Sequence, residues 1–239
     1  MSAAIEEKII IALDVGTKPE ALALAGGLPS ARIFKVGMEL FTAEGPPLLR
    51  AVARLGKRVF LDLKYHDIPN TVAGAVRSAS HHGAAMLTLH ASGGGEMMAA
   101  AAAAAREEAA KSGRPRPLLL GVTVLTSLKD SQLREIGCSV PVAGQVLRLA
   151  VLAKSAGLDG VVCSPHEIEI IKKEFGRELL VVTPGIRPAW AAAQDQKRIM
   201  TPAKAVAKGA DYLVIGRPVT GAPSPQEAFE KIAAEIRGS

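Results

Sequence analysis

The chain has 239 residues, 49% hydrophobic and 22% charged, with 23 Gly, 15 Pro and only 3% aromatic side chains, proportions near globular averages that exclude collagen-like or disordered structure. The longest apolar run, Met97–Ala105, is far short of the roughly 18 residues that cross a bilayer, and the start MSAAIEEKIIIALD puts no cationic region before an apolar one, so neither a membrane span nor a secretory signal is expected. A net charge of +6 without basic runs longer than two, and with two Tyr, one Trp and five Phe for bases to stack on, points to an anionic metabolite rather than nucleic acid.

Short β-rich apolar runs recur along the chain at Ile9–Leu13, Ile33–Val36, Val59–Leu63, Met86–Leu89, Leu118–Leu125, Gly160–Val162, Leu179–Val182 and Tyr212–Ile215. They are continuous rather than alternating, as in parallel strands buried on both faces. Helix-like segments follow them, among them Val142–Ala156 and the alanine-rich Ala99–Ala110. Thr17, Ser164 and Ser224 each offer a capping hydroxyl with a glutamate three residues on, at Glu20, Glu167 and Glu227. Thr201-Pro202 repeats the cap without the glutamate, and Gly157 and Gly209 are placed to close helices. Eight such units in 239 residues predict one (β/α)8 TIM barrel, a single domain over 1–239 with no linker; a doubly wound sheet shares the grammar and is the alternative.

In a barrel the chemistry sits at the C-terminal strand ends. Polar or charged residues fall there repeatedly: Asp14, Lys35, Asp62 and Lys64, His90, Thr123 and Thr126 in the fifth run, Arg187 and Arg217. The densest segment is VFLDLKYHDIPNT, residues 59–71. Residues i and i+2 of a strand share a face, so Asp62 and Lys64 point the same way, with Asp67 in the next loop. A lysine among carboxylates is held as an ammonium and serves as a positioned proton donor; a structural ion-pair network at the rim is the plainer alternative. After the seventh and eighth strands, TPGIR (183–187) and IGRP (215–218) offer glycine-opened backbone and an arginine for a phosphate. The stretch from Arg187 to Thr201 is a candidate lid or a plain short helix. His81 and His82 suit a helix C-terminus, His166 the surface and Cys163 packing. Cys138 and Cys163 form no disulfide framework, as in a reducing compartment; no residue set has metal-ligand spacing and no G-x-G-x-x-G appears, so neither metal nor cofactor is expected.

The segment DLKYHDIPNTV, 62–72, resembles the signature of the orotidine 5′-monophosphate decarboxylase family, D-x-K-x-x-D followed by I-P-x-T. IALD (11–14), FKVGMELF (34–41), TLHASGG (88–94), VTVLTS (122–127), VTPGIRP (182–188), DQKRIMTP (195–202) and YLVIGRPVT (212–220) resemble that family in the same order, closest to its bacterial branch. The resemblance implies cofactor-independent removal of CO2 from orotidine 5′-monophosphate to give UMP, the last step of de novo pyrimidine synthesis, in a cytoplasmic homodimer with shared active sites. It implies that Lys64 protonates C6 as the carboxylate leaves, with Asp62 beside that carboxylate and Asp67 and Thr71 arriving from the neighbouring subunit. Lys35 and Asp14 would hold the ribose hydroxyls. Thr126 and Ser127 would lie at the pyrimidine edge, and Gln196, Gly216, Arg217 and Arg187 would make the phosphate and lid contacts. Two alternatives share the barrel: a metal-dependent enzyme of sugar phosphates, and a silent barrel that only binds a phosphorylated ligand.

Overall fold

Runs of aliphatic and β-branched residues that bury both faces pair most readily with one another, and here they close a ring. The computed structural model describes residues 4–191 and 200–238. Its strands are β1 (Ile9–Ala12), β2 (Ile33–Gly37), β3 (Arg58–Tyr65), β4 (Ala84–His90), β5 (Leu118–Val122), β6 (Gly160–Val162), β7 (Leu180–Thr183) and β8 (Tyr212–Ile215). All neighbours are parallel and in chain order, and β8 returns to β1 with Val214 opposite Ile10. That last pairing makes the expected (β/α)8 barrel and removes the doubly wound alternative, which would leave both strands as edges.

The helices are α1 (Lys18–Gly26), α2 (Met38–Glu44), α3 (Pro47–Arg54), α4 (Pro69–His81), α5 (Gly95–Ser112), α6 (Asp130–Glu135), α7 (Val142–Ser155), α8 (Ile168–Phe175), α9 (Pro202–Ala207), α10 (Arg217–Thr220) and α11 (Pro225–Arg237). They cover the outward strand faces through apolar stripes such as Leu48, Leu49 and Val52 on α3 and Phe229, Ile232 and Ile236 on α11. Among the described residues no helix is long and apolar enough to cross a membrane.

One cap expectation fails, at Ser224, and one cap, Ser164, opens a different kind of helix. Thr17 forms the reciprocal box with Glu20, and Thr201 accepts from the Lys204 N–H. Ser164 accepts from the His166 N–H and opens a 3-10 turn, Pro165–Glu167, with α8 starting only at Ile168. Ser224 makes no side-chain cap bond: its ψ of 93° contrasts with 151–155° at the three working caps, so its hydroxyl is turned off the first helical amides. Gly157 and Gly209 do end α7 and α9, with φ of 82° and 103° that other residues rarely adopt.

Strand five is shorter than expected. The apolar run to Leu125 suggests a strand of that length, but the Thr123 N–H and hydroxyl both donate to the Val162 carbonyl at 3.1 and 2.9 Å. The amide bond is the last rung of the β5–β6 ladder, whose final pair is Val122 and Val162; Thr123 and Thr126 belong to the loop and Leu125–Ser127 are exposed.

The barrel interior is filled by Ile10, Ile33, Phe60, Met86, Leu120 and Val182, all at most 3% exposed. Burying each such side chain stabilises the fold by about 1.5–3 kcal/mol. Two residues further along the same strand faces the interior turns polar at Lys35, Asp62 and Thr88. The site is therefore a continuation of the core layers toward the C-terminal rim.

Candidate active site

The centre of the rim is an ion pair built on one strand. Lys64 Nζ lies 2.9 and 3.0 Å from the two carboxylate oxygens of Asp62. Both side chains are largely screened from solvent, at 25% and 15% exposure, which strengthens the attraction relative to a surface pair. The expectation that they share a face holds in outcome, yet the strand between them is not regular. The β3–β4 register steps from Leu61 opposite Leu87 to Tyr65 opposite Leu89, so four steps on β3 match two on β4. Among the described residues Lys64 alone of the non-glycines has positive φ, 51°. A left-handed backbone at such a residue costs on the order of 1–2 kcal/mol and persists where surrounding contacts enforce it, commonly at functional sites.

One of those contacts comes from a residue that sequence reasoning missed. Thr88 on β4 is fully buried; its hydroxyl accepts from the Lys64 backbone N–H and donates to Asp62 Oδ1, each at 2.9 Å. The clue was available, because Met86, Thr88 and His90 share one face of the strand. His90, next on that face, is half-buried and its ring centroid is 5.5 Å from that of the exposed His66. Burial is the main cause holding the His90 imidazole below the usual histidine range; His66 and the Lys64 ammonium push the same way and Asp62 opposes them.

A second pair lies beside the first. Lys35 Nζ is 3.0 Å from Asp14 Oδ1, with Lys35 at 13% and Asp14 at 58% exposure, so the lysine forms the floor and the carboxylate opens outward. Two cavities meet at this pair. One, of about 210 Å³, runs along Gly37 and Met38 to Asp62 and Lys64; the other, of about 150 Å³, runs to Gly185, Arg187, Gly216 and Arg217. The strand-end glycines keep both open: a Cβ on Gly37 would stand 3.1 Å from Lys35 Nζ, and one on Gly216 3.4 Å from Asp14 Oδ2. Arg187 is buried and Arg217 exposed, so the second cavity has cationic groups at its back and its lip.

The remaining expected residues are not gathered here. The exposed Asp67 carboxylate accepts from its own Ile68 N–H at 2.7 Å and makes no ion pair with Lys64 within the chain. Thr71, in the first turn of α4, is exposed, as are Thr126 and Ser127 in the loop after β5. Gln196 and most of the candidate lid lie outside the described residues. Cys163 is fully buried and burial pushes its thiol far up, which suits packing and not nucleophilic chemistry. Among the described residues no three His, Cys, Asp or Glu side chains converge as a metal-ligand group.

A larger hollow of about 420 Å³ lies on the outer surface between α4 and α5, but it is shallow and its His81 and Glu108 pair with each other at 3.5 Å. The strand ends are where charged side chains converge on open cavities.

Comparison with known proteins finds relatives over nearly the whole chain. The family model described as "Orotidine 5'-phosphate decarboxylase / HUMPS family" matches residues 7–232. An orotidine 5'-phosphate decarboxylase of Moorella thermoacetica is 55% identical over 233 residues, covering 97% of this chain and 92% of that protein. Its counterpart from Geotalea daltonii is 52% identical over 230 residues, covering 96% and 95%. Among solved structures, orotidine 5'-phosphate decarboxylase from Lactobacillus acidophilus superposes with a TM-score of 0.86 at 38% identity, covering 96% of this chain and 99% of that one.

Proposed function

The chain belongs to the orotidine 5'-phosphate decarboxylase / HUMPS family, and from that premise we propose the way in which its own residues carry out the reaction. The activity is decarboxylation of orotidine 5′-monophosphate in pyrimidine biosynthesis, in keeping with relatives of that activity at 52–55% identity over nearly the whole chain. The observation that carries the residue-level reading is the Lys64 ammonium fixed at 2.9 and 3.0 Å from the Asp62 carboxylate, at the inner end of a cavity shared with Asp14 and Lys35.

Cleavage of the C6–carboxylate bond releases CO2 and leaves the bond's electron pair on a vinylic carbon, with no conjugated carbonyl to receive it. Lys64 Nζ stabilises that charge as a preorganised cation and gives a proton to C6, forming UMP; the neutral amine then regains a proton from water. Asp62 aims the ammonium. Lys35 and Asp14 take the ribose hydroxyls, and Gly216, Arg217, Arg187 and Gln196 take the phosphate. Binding of that remote phosphate helps organise the reacting end. Thr126 and Ser127 face the pyrimidine edge. The exposed Asp67 and Thr71 serve the site of a second copy across a homodimer interface, which accounts for a carboxylate that turns away from Lys64 in its own chain. The enzyme works in the cytoplasm, without a cofactor and without nucleic acid as partner.

Ultraviolet absorbance of orotidine 5′-monophosphate with the purified protein, with and without EDTA, tests the activity. Conversion to UMP that ignores EDTA is expected. Conversion abolished by EDTA would overturn the metal-free reading, and no conversion by folded protein would point to metal-dependent sugar-phosphate chemistry or to a barrel that only binds. Mixing Asp67→Ala with Lys64→Ala protein tests the shared site: heterodimers are expected to regain activity, and no recovery despite proven heterodimers would sink the arrangement.

A further inference from the structure

We infer that Thr88 is a positioning residue for decarboxylation, acting through Lys64 and Asp62; the inference rests on the proposed role of Lys64. The hydroxyl sits where the β3–β4 ladder is broken between Leu61–Leu87 and Tyr65–Leu89, opposite the left-handed Lys64. It takes the Lys64 N–H at 2.9 Å in place of a strand carbonyl and gives its own proton to Asp62 Oδ1, also at 2.9 Å. A hydroxyl has one donor and two lone pairs, so it makes both contacts at once. Thr88 is fully buried, and water cannot substitute for it without a change in packing.

These two bonds tie the backbone of the proton donor to the carboxylate that aims its ammonium. Asp62 Oδ1 thereby receives both Lys64 Nζ, at 2.9 Å, and the Thr88 hydroxyl. Without the hydroxyl, the Lys64 backbone is released toward ordinary negative φ, which swings Nζ off Asp62. The carboxylate also loses the donor that fixes its plane. Neither bond touches the phosphate cavity, so the defect falls on the chemical step rather than on binding.

Thr88→Val keeps the shape and deletes both bonds, whereas Thr88→Ser keeps both. For Thr88→Val, kcat is expected to fall about 10- to 100-fold while KM for orotidine 5′-monophosphate and affinity for UMP change by less than about threefold. Thr88→Ser is expected to stay within about threefold of the parent in kcat. Unchanged kcat in Thr88→Val, equal losses in the valine and serine variants, or KM rising in step with the loss in kcat would each overturn the inference. Should Thr88→Val fail to fold, Thr88→Ala set against Thr88→Ser reads the same contrast. Lys64→Ala measured in parallel separates the two levels. Full turnover in that variant overturns the proton-donor reading beneath the inference; full kcat in Thr88→Val beside an inactive Lys64→Ala overturns the inference alone.

Discussion

Both ends of the barrel carry charged side chains, but the two sets are used differently. At the N-terminal end three charges, Lys57, Asp159 and Asp211, are anchored to backbone. Lys57 Nζ reaches the carbonyls of Leu28, Pro29 and Ala31 at 2.9, 3.1 and 2.7 Å and lies over the Phe34 ring. Asp159 accepts from the Leu119 N–H and the Arg116 guanidinium, and Asp211 accepts from the Val181 N–H and Lys172 Nζ. At the C-terminal end Asp62–Lys64 and Asp14–Lys35 pair side chain to side chain around open cavities. A charge fully bonded to backbone has no capacity left for a ligand; a pair facing a cavity keeps donors and lone pairs that a substrate can take up. The added backbone bonds at one end and the facing cavities at the other, more than the presence of charge, distinguish the two sets.

The largest expected break between the two ends is Lys64→Ala. Turnover should fall by more than about 10³-fold while UMP still binds, because a proton donor and a preorganised cation leave together; steady-state kinetics beside UMP titration checks this. Arg217→Ala should raise KM about 30- to 100-fold through loss of a charged phosphate contact. The same change should hardly affect turnover of orotidine lacking the phosphate, and an equal loss on both substrates would remove Arg217 from the phosphate site.

At the other end, Lys57→Met should leave kcat unchanged and lower stability by about 2 kcal/mol, because carbonyls at the barrel floor lose their donor. Urea unfolding reads that cost, and a fall in kcat would erase the contrast between the two ends. The smallest effect concerns His90, whose folded-state pKa is lowered mainly by burial. As pH falls below about 6.5 the unfolded chain takes up this proton before the folded one, so stability is lost through that window and is unaffected above it. The stability gap between the parent and His90→Gln should therefore shift in the variant's favour between pH 7.5 and 5.5. A gap independent of pH would show that His90 is not held neutral by the fold.

Much of this was legible in advance because parallel strands demand continuous apolar runs and helices demand punctuation. The runs beginning at Ile9, Ile33 and Tyr212 match their strands to within a residue. The run ending at Leu125 did not, since apolarity cannot tell a strand from a loop, and β6 offers no paired partner beyond Val162. Ser224 failed as a cap for a similar reason: residue type offers the hydroxyl, and the backbone angle decides whether it is aimed.

The sequence by itself determined the eight strand–helix units and the strand-end placement of Asp14, Lys35, Asp62, Lys64 and Arg217. These follow from hydrophobic periodicity, which acts over neighbouring residues. Only the tertiary structure decided that Lys64 turns left-handed, that Thr88 holds it against Asp62 across 24 and 26 residues of chain, and that Asp67 turns away. Such contacts join strands that meet only when the sheet closes, and no local pattern encodes the register at which they meet.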